Sequence, residues 1–429
     1  MSDALALPPR PNIEQYKKLA RDFQKACRAG DDGAVHQWAE RWVASLGPAP
    51  TKGDERRILR RWRELRKSND PAGRSLAGAQ LLIARCHGFA SWPKFVAHLE
   101  EVSRANSHVS VFEAAVDMIV EGEIDALRNA LRDHPGLARE RSTREHGATL
   151  LHYVAANGVE DFRQKTPGNI VAIARLLLDS GAEINAESEA YGGPATTLGL
   201  AATSCHPAAA GVQLALLDLL IERGASIDAV NGVNACLRNG RGEAAEHLAS
   251  KGAALDLEGA AGTGRLAVVK SFFDDDGGLK PRATRRQLMD GFAWACEFGR
   301  SSVVEFLLDH GVKADAKLSG GETGLHWVAF AGHADLVRLL LERGAPVHVM
   351  DKTHGGTALD WALYGWGTRR PGDRTQSSYY ETVACLARSG SKVDPNWFVR
   401  NAERETAAGR IRSDPAMMSA LRGEFPRKV

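Results

Sequence analysis

The stretch GETGLHWVAFAGHADLVRLLLERGAPV, residues 321–347, decides the fold. Its two apolar halves are separated by Gly332, and the second half closes on Gly344. Thr323 precedes the first half, and its hydroxyl can accept a hydrogen bond from an unpaired N–H of the helix that it starts. The closing glycine can take the left-handed conformation that ends a helix without a Cβ penalty. The pattern predicts two short helices joined by a tight turn.

Parts of the same unit recur along the chain. Residues 147–155 repeat the first half, and residues 173–185, 217–228 and 304–312 repeat the second half, with a fainter copy at 245–253. The closing glycines fall at positions 181, 224, 252, 311 and 344. One such helix pair cannot bury its apolar face alone, so neighbouring pairs must stack. The sequence therefore predicts a repeat array.

The unit resembles the ankyrin repeat. Residues 323–329 stand where that family has Thr-Pro-Leu-His-Leu-Ala-Ala, with Gly324 in place of the proline, and residues 339–345 match the closing consensus. The resemblance implies an all-α ankyrin-repeat solenoid, with about eight units over residues 108–397. Several units are degenerate, and insertions fall at 159–168, 205–211 and 367–378. It also implies that His152 and His326 hydrogen-bond the turns between neighbouring units instead of acting in catalysis.

The first 107 residues lack the repeat, and we expect them to form an α-helical cap domain. Helices are predicted at 13–29, from Asp32 to 46, at 75–86 and at 92–102. Residues 7–18 and 79–95 look like a leader found on many bacterial ankyrin proteins, which suggests a bacterial origin. We expect residues 398–429 to form a helical cap at the other end.

Composition excludes several classes of protein. The 55 basic and 53 acidic residues nearly cancel, and the six cysteines contain no CxxC pair, which favours the reducing cytoplasm. No apolar stretch approaches the roughly 20 residues needed to span a bilayer, and the three prolines among residues 1–12 argue against a signal peptide. Residues 52–67 carry eight basic and three acidic residues. We interpret them as a solvated helix with Ile58, Leu59, Trp62 and Leu65 facing inward, and nucleic-acid binding is not favoured.

The resemblance places a concave groove along the ends of the first helices. Its expected lining is Arg238, Asn239, Glu297, Phe298, Phe330 and Tyr364, with Trp366 and Tyr379 nearby. We expect Trp294, Trp327 and Trp361 to be core residues. Grouped exposed aromatic side chains are typical of interaction hot spots. The favoured function is a non-catalytic scaffold that recognises a protein partner, with no cofactor, metal or catalytic residue.

The alternative is an enzyme or small-molecule binder. Its pocket would lie where an insertion folds over the groove. The candidate lining comprises Glu297, Asp360, Tyr364 and Tyr379. Three arginines on the last insertion, at 369, 370 and 374, could surround the aromatic groove of the favoured scaffold with positive charge. The spacing of His348, Asp351 and His354 could suit a metal, but it fixes no geometry and supplies no fourth ligand. Cys296 is expected to be a buried thiol.

Overall fold

The structure is a computed structural model that describes residues 4–8, 11–28, 32–46, 52–67, 75–228, 232–368, 376–393 and 402–425. It divides into two compact units, residues 1–235 and 236–429. The described secondary structure is almost entirely helical. The all-α fold class predicted from the sequence is therefore confirmed.

Five helices form the N-terminal part of the first unit. They are α1 (Ile13–Arg28), α2 (Asp32–Ala44), α3 (Lys52–Lys67), α4 (Leu76–Cys86) and α5 (Trp92–Val102). Ser75 and Ser91 cap α4 and α5, because each side chain accepts a hydrogen bond from a backbone N–H in the first turn of its helix. Their shared core includes Phe23, Trp38 and Phe95. The four predicted helices are found; positions 29–31, at one predicted boundary, lie outside the described residues.

The basic helix α3 packs its apolar face inward. Ile58, Leu59, Trp62 and Leu65 are all buried, as the helical spacing predicts. Among its cations, Arg57 forms ion pairs with Asp54 and Asp161.

Helix pairs follow in the first unit. They are α6 (His108–Glu121) with α7 (Ile124–Asp133), α8 (Leu150–Tyr153) with α9 (Ile170–Asp179), and α10 (Thr197–Thr203) with α12 (Gln213–Glu222), the short α11 (Cys205–Ala209) lying between the last two. The predicted insertion at 159–168 contains a 3₁₀ turn, Asp161–Arg163. A two-stranded antiparallel hairpin, β1 (Glu187–Ala190) and β2 (Gly193–Thr196), precedes α10, with Glu187 opposite Thr196.

Five more helix pairs follow along the chain. They are α13 (Gly232–Arg238) with α14 (Gly242–Ser250), α15 (Leu257–Gly262) with α16 (Leu266–Lys270), α17 (Arg285–Glu297) with α18 (Ser301–Asp309), α19 (Gly324–Ala331) with α20 (Ala334–Glu342), and α21 (Ala358–Thr368) with α22 (Gln376–Arg388). In the second unit α15, α17, α19 and α21 pack in succession, and one continuous apolar core runs through them. Eight helix pairs are thus present in the part of the chain that the structure describes.

Hydrogen bonds connect successive pairs. His326 Nδ1 lies 3.0 Å from the Thr323 nitrogen and completes a capping box, and its Nε2 lies 3.3 Å from the carbonyl oxygen of Gly356 in the next unit. His333 Nε2 lies 2.9 Å from the carbonyl oxygen of Glu297 in the preceding unit. The closing glycines predicted at 181, 224, 252, 311 and 344 have φ angles of +90°, +91°, +95°, +92° and +84°. Five of the second helices, α9, α12, α14, α18 and α20, are therefore followed by a glycine in the left-handed conformation.

Two more helices, α23 (Ala402–Ser413) and α24 (Pro415–Leu421), follow the last pair and lie within the region predicted as a helical cap. Along the described ranges, no helix is both long and apolar enough to cross a membrane. The arginines predicted at 369, 370 and 374, like the end of the predicted array at 397, fall outside the described residues.

Candidate functional site

Three tryptophans occupy equivalent positions on successive first helices. Trp294, Trp327 and Trp361 lie on α17, α19 and α21, 33 and 34 residues apart. The ring centroids of Trp294 and Trp327 are 5.8 Å apart, and those of Trp327 and Trp361 are 5.1 Å apart, both in edge-to-face contact. All three side chains are half-buried. The prediction that they are core residues is therefore wrong. The three tryptophan rings form a continuous series of contacts.

Phe330 and Tyr364 extend this arrangement one helical turn further along. Phe330 contacts the rings of Trp327 and Trp361 edge to face, at 6.3 Å and 6.1 Å. Its ring is nearly parallel to that of Tyr364, at 6.3 Å and 21°. Tyr364 is 40% exposed, whereas Phe330 is half-buried. We call Trp294, Trp327, Trp361, Phe330 and Tyr364 the aromatic series.

Carboxylates hold the two ends of the aromatic series. The Trp294 indole Nε1 donates to Glu258 Oε1 at 3.1 Å, and Arg238 Nη2 donates to both oxygens of the same carboxylate, at 2.9 Å and 3.1 Å. At the other end, the Trp361 indole Nε1 donates to Asp351 Oδ2 at 3.0 Å. Glu258 is buried, while the Arg238 side chain is half-exposed. Because both outer indoles are fixed by these bonds, the rings are held in one arrangement.

The other predicted groove residues are placed in different ways. Glu297 is half-buried, and its backbone oxygen meets His333. Phe298 is half-buried and lies close over Gly242 at the start of α14. Asn239 is exposed at the end of α13.

The prediction that Trp366 and Tyr379 lie near the groove lining is wrong, because both are core residues. Their exposed fractions are 5% and 1%, so neither side chain lines an open surface. Tyr379 belongs to α22, and its hydroxyl donates to the carbonyl oxygen of Phe330 at 2.6 Å. The Trp366 ring is covered by the guanidinium of Arg410, at 5.3 Å. The Tyr379 hydroxyl therefore supports Phe330 of the aromatic series from the core.

Two of the carboxylates considered for a metal or small-molecule site, Asp351 and Asp360, accept hydrogen bonds within their own turns. Asp351 accepts hydrogen bonds from the backbone N–H groups of Thr353, His354 and Gly356. Burial opposes its charge, but these bonds and the Trp361 indole lower the pKa of Asp351. Asp360 Oδ2 accepts from the backbone N–H and the hydroxyl of Thr357, at 2.8 Å and 2.9 Å. Burial raises the pKa of the Cys296 thiol, as befits a core residue.

A buried ion network in the first unit was not predicted. The two oxygens of Glu113 accept hydrogen bonds from Arg144 Nη1, at 2.5 Å, and from Arg163 Nη1, at 2.6 Å. Arg144 Nε also lies 2.9 Å from Glu160 Oε1. Burial opposes ionisation of Glu113, but the two guanidiniums outweigh it and lower its pKa to about 2. We call Glu113, Arg144, Glu160 and Arg163 the ion network.

Contacts with the N-terminal helices enclose the ion network. The guanidinium of Arg144 lies 5.6 Å from the Phe89 ring centroid, and the Glu145 N–H donates to the carbonyl oxygen of Gly88 at 2.9 Å. His98 Nδ1 is 2.7 Å from the hydroxyl of Thr143. The turn before α8 is therefore joined to the end of α4 and to α5.

Comparisons with known proteins agree with the repeat assignment. Residues 292–396 match the family model for ankyrin repeats (3 copies). The chain is 32% identical over 110 residues to the E3 ubiquitin-protein ligase hecd-1 of Caenorhabditis elegans, a match that covers 26% of this chain and 4% of that protein. It is also similar to the human ASB11 ankyrin repeat domain, at 19% identity and a TM-score of 0.33, over 62% of this chain and 96% of that domain. The family-model match confirms the predicted ankyrin repeats over residues 292–396.

Proposed function

We propose that this protein, whose residues 292–396 are ankyrin repeats, is a non-catalytic scaffold that binds a protein partner through the aromatic series. The observation that carries the proposal is the run of five contacting rings on α17, α19 and α21, the first helices of three successive pairs. Tryptophan and tyrosine are enriched among residues that dominate binding free energy, because large rigid rings bury much area at little entropic cost. Arg238, beside Trp294, supplies a polar margin to this surface.

The rigidity of the surface supports the same proposal. The outer indoles are held by Glu258 and Asp351, and Phe330 is backed by the hydroxyl of Tyr379. Side chains that are already ordered lose little freedom when a partner docks, so more of the contact free energy appears as affinity. We place this scaffold in a bacterial cytoplasm, on the cysteine usage and the leader-like N-terminal residues.

A capture experiment with matched variants tests the proposal. The full chain is immobilised, exposed to lysate of its native host, and the retained proteins are quantified by mass spectrometry. We expect the double variant Phe330→Ala, Tyr364→Ala to lose at least about tenfold of the specific partner, a loss typical of hot-spot truncation. Phe425→Ala, which removes another exposed ring from the same unit, should retain it. Equal retention by the double variant and the unsubstituted protein, with both folded by circular dichroism, would disprove the proposed surface.

A further inference from the structure

A cavity of about 580 Å³ lies beside the ion network, within the first unit. Its volume falls in the range typical of small-molecule sites, roughly 300–1,000 Å³. The lining comes from the N-terminal segment, the end of α5, α6, the turn before α8 and the insertion after α8. It comprises Ala6, Leu7, Pro8, Pro11, Val102, Ser103, Glu113, Asp117, Arg144, Phe162 and Arg163.

Arg144 brings unused donors to this cavity. Its side chain is 3% exposed, and its guanidinium carries five N–H groups. Among the described residues, Nη1 donates to Glu113 and Nε forms an ion pair with Glu160 Oε1 at 2.9 Å, whereas Nη2 makes no hydrogen bond. The N–H groups of Nη2 therefore remain available, and a ligand carboxylate is the acceptor that a guanidinium binds most strongly. The lining at Arg144 therefore suits a carboxylate.

Asp117 provides the opposite chemistry at the outer edge of the same cavity. Its side chain is 61% exposed, and Arg163 Nε and Nη2 both donate to Oδ1, at 3.0 Å and 2.8 Å. Because both of these bonds end on one oxygen, Oδ2 can accept from a ligand. A ligand ammonium is the natural donor for a carboxylate oxygen at this position.

The charge balance favours a ligand that carries both groups. Among the described residues, the carboxylates of Glu113, Asp117 and Glu160 contact two guanidiniums, those of Arg144 and Arg163. A ligand with only a carboxylate would add negative charge to a cluster in which carboxylates already outnumber guanidiniums. A zwitterion brings a carboxylate for Arg144 and an ammonium for Asp117 without changing the total charge.

The remaining lining is apolar. Leu7, Pro8, Pro11, Val102 and Phe162 contribute side chains without charge, and Phe162 is partly exposed. Burying a hydrocarbon side chain against them is favourable by about 25 cal/mol per Å². We propose that this cavity binds a free α-amino acid with an apolar side chain, its carboxylate on Arg144, its ammonium on Asp117 and its side chain against these five residues.

Calorimetric titration of the full chain with defined probes tests the ligand class. The probes are L-leucine, L-methionine and L-phenylalanine, with 3-phenylpropanoate and 2-phenylethylamine as analogues that each lack one charged group. We expect at least one amino acid to bind with a Kd below about 1 mM, and each analogue to bind at least about tenfold more weakly than L-phenylalanine. Absence of saturable binding by all three amino acids would overturn the proposal. So would analogues that bind as tightly as L-phenylalanine.

Variants test the location. Asp117→Asn should weaken amino-acid binding at least about tenfold, the loss expected for a charge-assisted hydrogen bond. Asp133→Asn, on the neighbouring helix α7, removes an exposed carboxylate outside the cavity lining and should leave the affinity unchanged. Val102→Trp fills the cavity while it preserves each charged group of the lining, and it should abolish binding with the thermal transition retained. Unchanged affinity in Asp117→Asn or in Val102→Trp would show that the amino acid binds elsewhere.

Discussion

The carboxylate of Asp351 accepts a hydrogen bond from the indole Nε1 of Trp361 at 3.0 Å, and so joins the turn between two helix pairs to the end of the aromatic series. The same carboxylate accepts three backbone N–H groups of its own turn. Asp351 is 3% exposed. One side chain therefore fixes both the turn and the orientation of an aromatic ring.

Replacing Asp351 by alanine should destabilise the protein. The loss of an ionised acceptor leaves the buried Gly356 N–H and three partly buried donors unpaired, at a cost of about 2–4 kcal/mol. Chemical denaturation would measure this change in the free energy of unfolding. Asp335→Ala, which removes a side chain that is 91% exposed, should change it by less than about 0.5 kcal/mol. Similar costs in both variants would contradict the role given to Asp351.

Glu113→Gln should be among the most destabilising polar substitutions in the first unit. It removes the charge that bridges two buried guanidiniums, and breaking a buried ion pair costs about 3–5 kcal/mol. Glu121→Gln, on the same helix, removes a half-exposed partner of Lys165 and should cost less than about 1 kcal/mol. Urea unfolding of the two variants compares them directly. The ion network would prove dispensable if Glu113→Gln unfolded at the midpoint of the unsubstituted protein.

Gly365→Ala and Gly409→Ala should have opposite effects, although both glycines are helical. A Cβ at Gly365 would collide with the carbonyl oxygen of Phe330, and backbone cannot move aside cheaply. We expect a loss of about 1–3 kcal/mol from this overpacking. A Cβ at Gly409 meets no atom of the described residues within 4 Å, so alanine there should stabilise α23 by about 0.5–1 kcal/mol. Melting temperatures that shift in the same direction would refute this difference.

As the pH falls, the N-terminal helical part should lose stability before the Glu113 carboxylate titrates. Burial lowers the pKa of His87 to about 3 and that of His98 to about 4, so both imidazoles are neutral in the folded state at neutral pH. The unfolded chain binds protons at these positions below about pH 6.5. Their contribution is therefore present above pH 6.5 and is lost as the pH falls towards 4 and 3, by about 2 kcal/mol each at pH 5.

The pH dependence of the melting temperature between pH 7 and pH 5 measures this effect. The Glu113 carboxylate contributes little to that interval, because its stabilisation is lost only as the pH falls from its ordinary value of about 4.5 towards 2. His98→Asn removes one of the two imidazoles and should flatten the pH dependence. A slope unchanged by that substitution would show that His98 does not titrate on unfolding.

The array was predictable from the sequence because its signals are local. The threonine before α19, the leucines of α20 and the glycine after it all act within 27 residues, and the same pattern recurs elsewhere. The burial of Tyr379 was not predictable. It depends on how α22 packs against the preceding helix pair. Because an insertion comes before α22, the repeat spacing does not indicate which residues of α22 face inward.

The ion network left no sequence signal for a different reason. Glu113, Arg144, Glu160 and Arg163 are spread over 51 residues, and each belongs to a type that is rarely buried. Only the packing of α6, the turn before α8 and the inserted 3₁₀ turn brings them together. The half-exposure of the three tryptophans was missed because large apolar residues at helical spacing are usually interior.

The joint between the turn at 143–146 and the helices α4 and α5 limits how this chain can be shortened. A version that started at residue 108 would strip the Phe89 ring from Arg144 and the imidazole of His98 from Thr143. Water would then reach the charged side chains of the ion network, which are buried in the full chain. The first helix pair, α6 and α7, would lose order as a result. The first helix pair thus depends for its order on the N-terminal helices, which are not repeats. Helix pairs therefore cannot be removed from this end one at a time.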